Sequence, residues 1–245
     1  MTYRASADAF EIEYIESEIR HSVLWERHCH SRYEMIAVVD GDVTVMLEGQ
    51  IYRLQGNQIL VIPPLFYHSV AANGTGSYRR ITALFGVDAI PEELRDSFAK
   101  QGRSASPSLV SLEKMRKTCQ RNLDGFYSPL LQSMMIELLY DMLQGPAEPS
   151  AAPTDDFLQR ALSYIDAHLQ EKISLDDLAK ATNRSKSSFC HRFEEKMKIS
   201  PKQYILQKKL ALASKLIDEG MPRTMAAMQI GYDNYSNFYR LYMKH

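Results

Sequence analysis

The chain is predicted to be a multidomain α+β protein, an antiparallel β-barrel with covering helices followed by an all-α domain. Three observations predict this. Short alternating apolar runs fill residues 20–86, a proline-rich seam interrupts the chain at Gly145–Asp156, and from Asp155 onward the apolar spacing is helical throughout. The expected domains are 1–144 (barrel about 20–86, helices about 91–144), a linker at 145–154, and 155–245.

The strands are read from SVLWERHCH, YEMIAVV, DVTVML, QIYRL, QILVI and RRITALF, with breaks at Asp40-Gly41, Glu48-Gly49-Gln50 and Gln55-Gly56-Asn57. Such breaks are hairpin chemistry, and six or more short antiparallel strands form a small barrel or sandwich. In the helical stretch that follows, Ser128-Pro129 supplies an N-cap and a first-turn proline for LLQSMMIELLYDML. That helix is apolar nearly all round, so it must be buried, either against the barrel or in a dimer. The seam GPAEPSAAPTDD combines three prolines with small and acidic residues and has no period, as linkers do.

Composition excludes several classes. With 45% hydrophobic and 24% charged residues the chain is of ordinary globular type. No apolar run approaches the roughly 18 residues of a membrane span, and MTYRASADAFEIEYIE has no signal-peptide core. Cys29, Cys119 and Cys190 form no CxxC pair, so neither a disulfide framework nor a zinc ribbon is expected. A cytoplasmic protein without a membrane partner is the expectation. The net charge of -1 hides an asymmetry: residues 1–154 carry 14 Lys/Arg against 19 Asp/Glu, and residues 172–245 carry 14 against 7. A basic last third suggests contact with a polyanion.

That third contains two similar units. Ser174 caps SLDDLAKAT, with Asp177 placed to return the bond, and Ser185 caps KSSFCHRFEEKM after a tight turn at Asn183-Arg184. Two short helices so joined, with Ala179 at their crossing, form a helix-turn-helix. Ser200-Pro201 opens a long helix ending at Gly220. TMAAMQI, the turn at Gly231-Tyr232-Asp233 and YSNFYRLYMKH then repeat the unit, Ala227 answering Ala179, Phe238 answering Phe189 and Tyr242 answering Phe193. Two such units on one connecting helix suit successive major grooves, about 34 Å apart.

Residues 155–245 resemble the AraC-type DNA-binding domain, on SLDDLA, Ser185–Phe193, ISPKQYI with LALASKLI, and MP…IGYDNYSNFYRLYMK. The resemblance implies double-stranded DNA as partner. It gives Lys186, Ser187, Cys190, His191, Tyr235, Ser236, Tyr239 and Arg240 as base-facing positions, with Phe189, Phe193, Phe238 and Tyr242 in the core. Arg240 suits bidentate contact with guanine. Arg184, Arg192, Lys196, Lys208, Lys209 and Lys244 read as phosphate contacts. Two departures stand out: Lys198 occupies the place of a usual glycine, and His191 that of a frequent arginine.

WERHCHSRYEMIAVVDGDV raises a second chemistry. On an extended strand His28, His30 and Glu34 share one face. Residues 20–86 resemble the cupin barrel: His28-x-His30-x3-Glu34-x6-Gly41 has the spacing of its first motif, and Gly56…Pro63…His68 part of its second, with Leu65 where glycine is usual. The resemblance makes His28, His30, Glu34 and His68 either a site for Fe(II), Mn(II), Ni(II) or Zn(II), the lining of a metal-free effector pocket, or hydrogen-bonded core polars. Trp25, Tyr33, Tyr52 and Arg80 are further candidates for that pocket. If His30 and Glu34 point inward, so do Ile36 and Val38, while Met35 and Ala37 point outward beneath a cover of helices.

The expectation is a cytoplasmic, non-enzymatic DNA-binding transcription regulator, with a cupin-like domain taking a small-molecule effector such as a sugar. It needs no cofactor, a divalent metal being a candidate, and it is expected to form a homodimer and to meet RNA polymerase. The alternatives are a cupin metalloenzyme with a DNA-binding tail and a regulator that answers to a protein.

Overall fold

The computed structural model describes residues 2–7, 10–25, 27–99, 103–105, 109–121, 128–144 and 155–244; the predicted linker at 145–154 lies outside them. Among the described residues ten strands run in chain order: β1 (Thr2–Ala7), β2 (Phe10–Ile19), β3 (Val23–Leu24), β4 (Tyr33–Asp40), β5 (Asp42–Leu47), β6 (Gln50–Gln55), β7 (Gln58–Ile62), β8 (His68–Asn73), β9 (Gly76–Phe85) and β10 (Arg103–Ala105). They form two sheets, of order β1-β2-β9-β4-β7-β10 and β3-β8-β5-β6, and the paired neighbours are antiparallel. The helices α1 (Glu92–Phe98), α2 (Leu109–Gln120) and α3 (Ser128–Gln144) follow.

Side-chain parity on β4 divides the core. Ile36 and Val38 are fully buried between the sheets with Val43, Val45, Leu54, Leu60 and Ile62. Met35 and Ala37, of opposite parity, are buried under Leu131, Met134, Met135, Leu138 and Met142 of α3. The all-round apolar helix therefore packs on the barrel, over β1 and β2, while α2 lies over β1, β2 and the apolar outer face of β4.

Three boundaries differ from the sequence reading. The sheet begins before residue 20: Phe10, Ile12 and Tyr14 are buried while Glu11 between them is exposed, so a strict period of two lies inside an acidic stretch. SVLWERHCH is a strand only at Val23–Leu24; beyond it the chain meets β8 through the Trp25 N–H on the Val70 carbonyl and through an isolated bridge in which His28 and His68 exchange both backbone hydrogen bonds. The region 91–144 is not purely helical, since β10 pairs with β7.

The C-terminal unit is all helical: α4 (Asp156–Ala167), α5 (Leu175–Ala181), α6 (Lys186–Met197), α7 (Pro201–Asp218), α8 (Arg223–Gln229) and α9 (Tyr235–Tyr242). Ser174 and Asp177 form a reciprocal capping box, and Ser185, Ser200 and Asn234 each cap their helix by a side-chain acceptor. Phe189, Phe193 and Phe238 are fully buried, each contributing about 2 kcal/mol of apolar transfer.

The two units meet. Cys29 and Tyr67 of the barrel belong to the same core as Leu158, Phe193 and Tyr204. The β5–β6 turn at Glu48-Gly49 reaches into the helical domain, where Gly49 lies against Leu158 and Met197.

Candidate functional site

The first site is the outer face of the two helix-turn-helix units. Arg184 is exposed in the turn before α6, Lys186, Ser187 and His191 along α6, and Tyr235, Ser236, Tyr239 and Arg240 along α9. Burial of Phe189 and Phe193 four residues apart on α6, and of Phe238 on α9, turns these flanks outward. On α6 they border a shallow concavity with Arg192, Glu195 and Lys196. Cys190 is half-buried beside the core, at the edge of the exposed flank. Tyr242, expected in the core, is half-buried, and its hydroxyl meets Ser214 at 3.4 Å.

Three basic residues read as phosphate contacts, Lys208, Lys209 and Arg192, are engaged within the protein. Lys208 is 2% exposed and pairs with Glu48 at 3.1 Å and Asp166 at 2.9 Å. Burial disfavours its ammonium, but those two carboxylates outweigh that and hold its pKa above the ordinary lysine value. Lys209 is 7% exposed and donates to the carbonyls of Glu171 and Ile230, both at 2.6 Å, with burial lowering its pKa. Both stems sit on the inner face of α7, a placement charge counting could not detect. Arg192 is half-buried and donates to Asp155 at 2.7 Å, bracing α6 on α4. Lys244 is exposed but lines a cleft between the domains.

The second site lies beside that cleft. His28, His30, Glu34 and His68 offer donor atoms all within 4.8 Å of one another. They do not converge for the reason the spacing suggests. Only Glu34 is on β4; His28 sits in the isolated bridge, His30 in the loop before β4, and His68 opens β8. Leu65, standing where glycine is usual, has φ +66° and its N–H donates to the His30 carbonyl at 2.9 Å. The turn is thus kept at a cost of about 1 kcal/mol, while the leucine side chain packs on the helical domain.

Glu34 is the hub. Its Oε2 lies 2.8 Å from His68 Nε2 and 3.2 Å from His30 Nε2. The opposite ring nitrogens, Nδ1 of His30 and of His68, each lie 2.8 Å from a backbone carbonyl, of Arg32 and Phe66 respectively. A carbonyl only accepts, so both Nδ1 atoms carry hydrogen and donate. Each Nε2 of a neutral ring would then face the carboxylate lone pair to lone pair, and a proton or a cation must lie between. Burial opposes charge on both Glu34 and His68, but their mutual contact, with His30 on Glu34, prevails. Glu34 is held well below the usual carboxylate range and His68 above the usual imidazole value. Imidazoles oriented by backbone carbonyls around one carboxylate fit a first-row divalent ion.

The other pocket candidates divide. Arg80 lies over the Trp25 ring at 4.7 Å, and Tyr52 is buried between the sheets. Tyr33 is on the opposite face, stacked on Phe85 in the sheet–helix core, because odd positions of β4 point outward. Glu48 and Tyr67, not among the site residues expected from the sequence, link the cluster to the helices. The Tyr67 N–H and Lys208 Nζ both donate to Glu48 Oε1, at 2.9 and 3.1 Å, and the Tyr204 hydroxyl donates to Oε2 at 2.5 Å.

A two-sheet sensor with a polar cluster, joined to paired helix-turn-helix units, defines a ligand-responsive transcription regulator. Residues 10–147 match the AraC-like ligand binding domain and residues 178–245 a helix-turn-helix domain, and the chain belongs to the AraC family of regulators. It is 24% identical over 240 residues to the HTH-type transcriptional regulator YdiP of Escherichia coli K12, covering 90% of this chain and 78% of the relative. It is 39% identical over 77 residues to the probable transcriptional regulator LumQ of Photobacterium leiognathi, 31% of each chain. The crystal structure of ToxT from Vibrio cholerae O395 superposes with a TM-score of 0.46 at 10% identity, over 96% of this chain and 93% of that one. The relatives are regulators, and the chain is a regulator rather than a metalloenzyme. Among the described residues no helix is long and apolar enough to cross a membrane.

Proposed function

We propose that the His28/His30/Glu34/His68 cluster is the effector-responsive centre of this DNA-binding regulator, holds a divalent ion, and controls how the two helix-turn-helix units are presented to a promoter. One observation carries the reading. His68, which contacts Glu34, is followed back by Tyr67, whose N–H binds the same Glu48 oxygen that accepts from Lys208 of α7. A ligand that favours one arrangement of His68 over another therefore has a short covalent and hydrogen-bonded route to the helix joining the two DNA-binding units. In this reading the exposed residues of α6 and α9 read bases, Arg184 and Lys196 hold phosphates, and the protein acts in the cytoplasm as a homodimer beside RNA polymerase. A sugar or sugar derivative remains the expected effector class.

The test is operator binding by the full chain, with DNA selected from a random pool. Fluorescence anisotropy is compared for chelator-treated protein and for protein reloaded with Fe(II), Mn(II), Ni(II) or Zn(II), metal content being read by elemental mass spectrometry. About one equivalent retained by wild type and lost in His28→Ala/His30→Ala, with a change in operator affinity of at least about fivefold, supports the reading. Metal uptake unaffected by the double substitution, or identical operator affinity in every state, overturns it.

A further inference from the structure

The two helix-turn-helix units meet beside α7, the helix that joins them. Gln170 and Glu171 lie between α4 and α5, on the approach to the first unit, and Ile230 and Gly231 lie between α8 and α9, in the turn of the second. The ammonium of Lys209, on α7, sits between these segments and donates to the carbonyls of Glu171 and Ile230, both at 2.6 Å. Gly231, at φ +80°, keeps the junction close, since a Cβ there would lie 3.4 Å from both the Gln170 carbonyl oxygen and Lys209 Nζ. At the surface the same segments are joined again, Gln229 Nε2 donating to Gln170 Oε1 at 2.8 Å.

Packing alone does not account for a lysine at this position. Its ammonium is buried with no carboxylate paired to it among the described residues, and burial lowers its pKa. A methionine would fill a similar volume without that desolvation. What the ammonium adds is two short bonds to the backbone of two different units, one of them to Ile230, which closes α8 and has no donor from its own helix. We propose that Lys209 is a positioning residue for DNA recognition: by clamping the α4–α5 connection to the α8–α9 turn it fixes the separation and phase of α6 and α9, and so the spacing between the two base boxes an operator must present. The inference rests on the reading of α6 and α9 as the base-contacting helices and is independent of any metal. Each clamped carbonyl lies shortly before a helix of its own unit, α5 at Leu175 and α9 at Tyr235. Major-groove faces recur about every 34 Å, so one base pair of displacement moves a box by about a tenth of a turn round the duplex. A joint free to swing by that amount accepts neighbouring spacings, and a clamped joint rejects them.

The test uses the full chain and the site selected from a random pool, with DNA in which the two boxes are moved one base pair closer or one or two further apart, and a fragment that keeps one box. Fluorescence anisotropy gives the affinity for each. Wild type is expected to prefer its own spacing by about tenfold or more over either one-base-pair change. Lys209→Met is expected to reduce that preference to about threefold or less while one-box affinity is unchanged, and Lys209→Arg, which can donate to both carbonyls, is expected to restore it. Affinity lost by one factor on every DNA, the mark of a merely structural role, overturns the proposal, as does a spacing preference in Lys209→Met equal to that of wild type. Gln229→Ala removes the surface bond at an exposed position and keeps the test decisive where Lys209→Met does not fold. It is expected to reduce the spacing preference about twofold, and no change overturns the clamp. Wild type that binds every spacing equally overturns instead the joint base-contacting role of α6 and α9, and the inference with it.

Discussion

The ammonium of Lys208 lies 3.1 Å from Oε1 of Glu48, joining the central DNA-binding helix to a β-hairpin turn 160 positions earlier in the chain. The pair is shielded, with 3% and 13% side-chain exposure. Removing one partner strands the other in low dielectric, which typically costs about 3–5 kcal/mol, whereas apolar replacement of both is far milder. Lys208→Met alone is therefore expected to lose about 3 kcal/mol in urea unfolding. The double substitution Glu48→Leu/Lys208→Met should cost less than the two singles added together, by about 1 kcal/mol or more. Strict additivity would mean that the pair does not couple the domains.

The basic residues should separate by role in DNA titrations across salt concentrations. Arg184→Ala or Lys196→Ala is expected to lower affinity on all sequences and reduce the log–log salt slope by about one. Arg240→Ala is expected to cost about 1–3 kcal/mol on the selected site and to relax preference at one base pair. Lys209→Met should lower stability, because its ammonium ties the carbonyls of Glu171 and Ile230 together, and leave the salt slope unchanged. A slope altered by Lys209→Met would return that residue to the DNA face.

The capped helices and aromatic core of the C-terminal domain were legible because their signals are local: Ser174 with Asp177, Ser185, Ser200-Pro201, and phenylalanines four apart. Lys208 and Lys209 were misassigned because adjacent lysines on an otherwise amphipathic helix give no hint that a distant Glu48 buries one and two carbonyls the other. The four-residue cluster is legible by motif, but strand parity does not bring it together, since of His28, His30 and Glu34 only Glu34 lies on β4. His28 and His30 converge through a loop held by a bridge to His68 and by the Leu65 turn, both long-range contacts. Strand β2 is missed because Glu11 and Glu13, alternating with buried Phe10, Ile12 and Tyr14, make the stretch read as polar and acidic until β9 is seen beside it.

Lys198 ends α6 in the left-handed region, at φ +56° and ψ 26°. A side chain there costs about 1 kcal/mol relative to glycine, and Lys198 is exposed with no ion pair among the described residues. Lys198→Gly is therefore expected to stabilise the protein by up to about 1 kcal/mol in thermal or urea unfolding. A loss of stability would show that the side chain makes a contact absent from this arrangement.

Asp155 accepts from Arg192 at 2.7 Å and caps α4 through Phe157 N at 3.1 Å. The Arg192 bond outweighs partial burial and lowers its pKa from the ordinary aspartate value. A depressed folded pKa contributes stability that is complete above the unfolded value near 3.9 and is lost as pH falls through the folded value. Asp155→Asn is expected to cost about 1 kcal/mol at neutral pH, with the gap to wild type narrowing only below about pH 4. A gap that already closes between pH 7 and 5 would exclude this carboxylate as its source.

Gly49 has φ +78°, and a Cβ placed there would meet Leu158 Cδ2 at 2.3 Å, inside the domain contact. Two separate penalties attach to Gly49→Ala, left-handed strain of about 1 kcal/mol and displacement of the leucine. Only the second depends on the domains being docked. Leu158→Ala opens that space at a cost of its own, about 2–5 kcal/mol for a buried leucine. In the Leu158→Ala background, Gly49→Ala should therefore cost only the strain, less than it does in wild type. Equal cost in the two backgrounds would mean that the hairpin turn is not seated on α4 in solution, and the route from the histidine cluster to the DNA-binding helices would lose its footing.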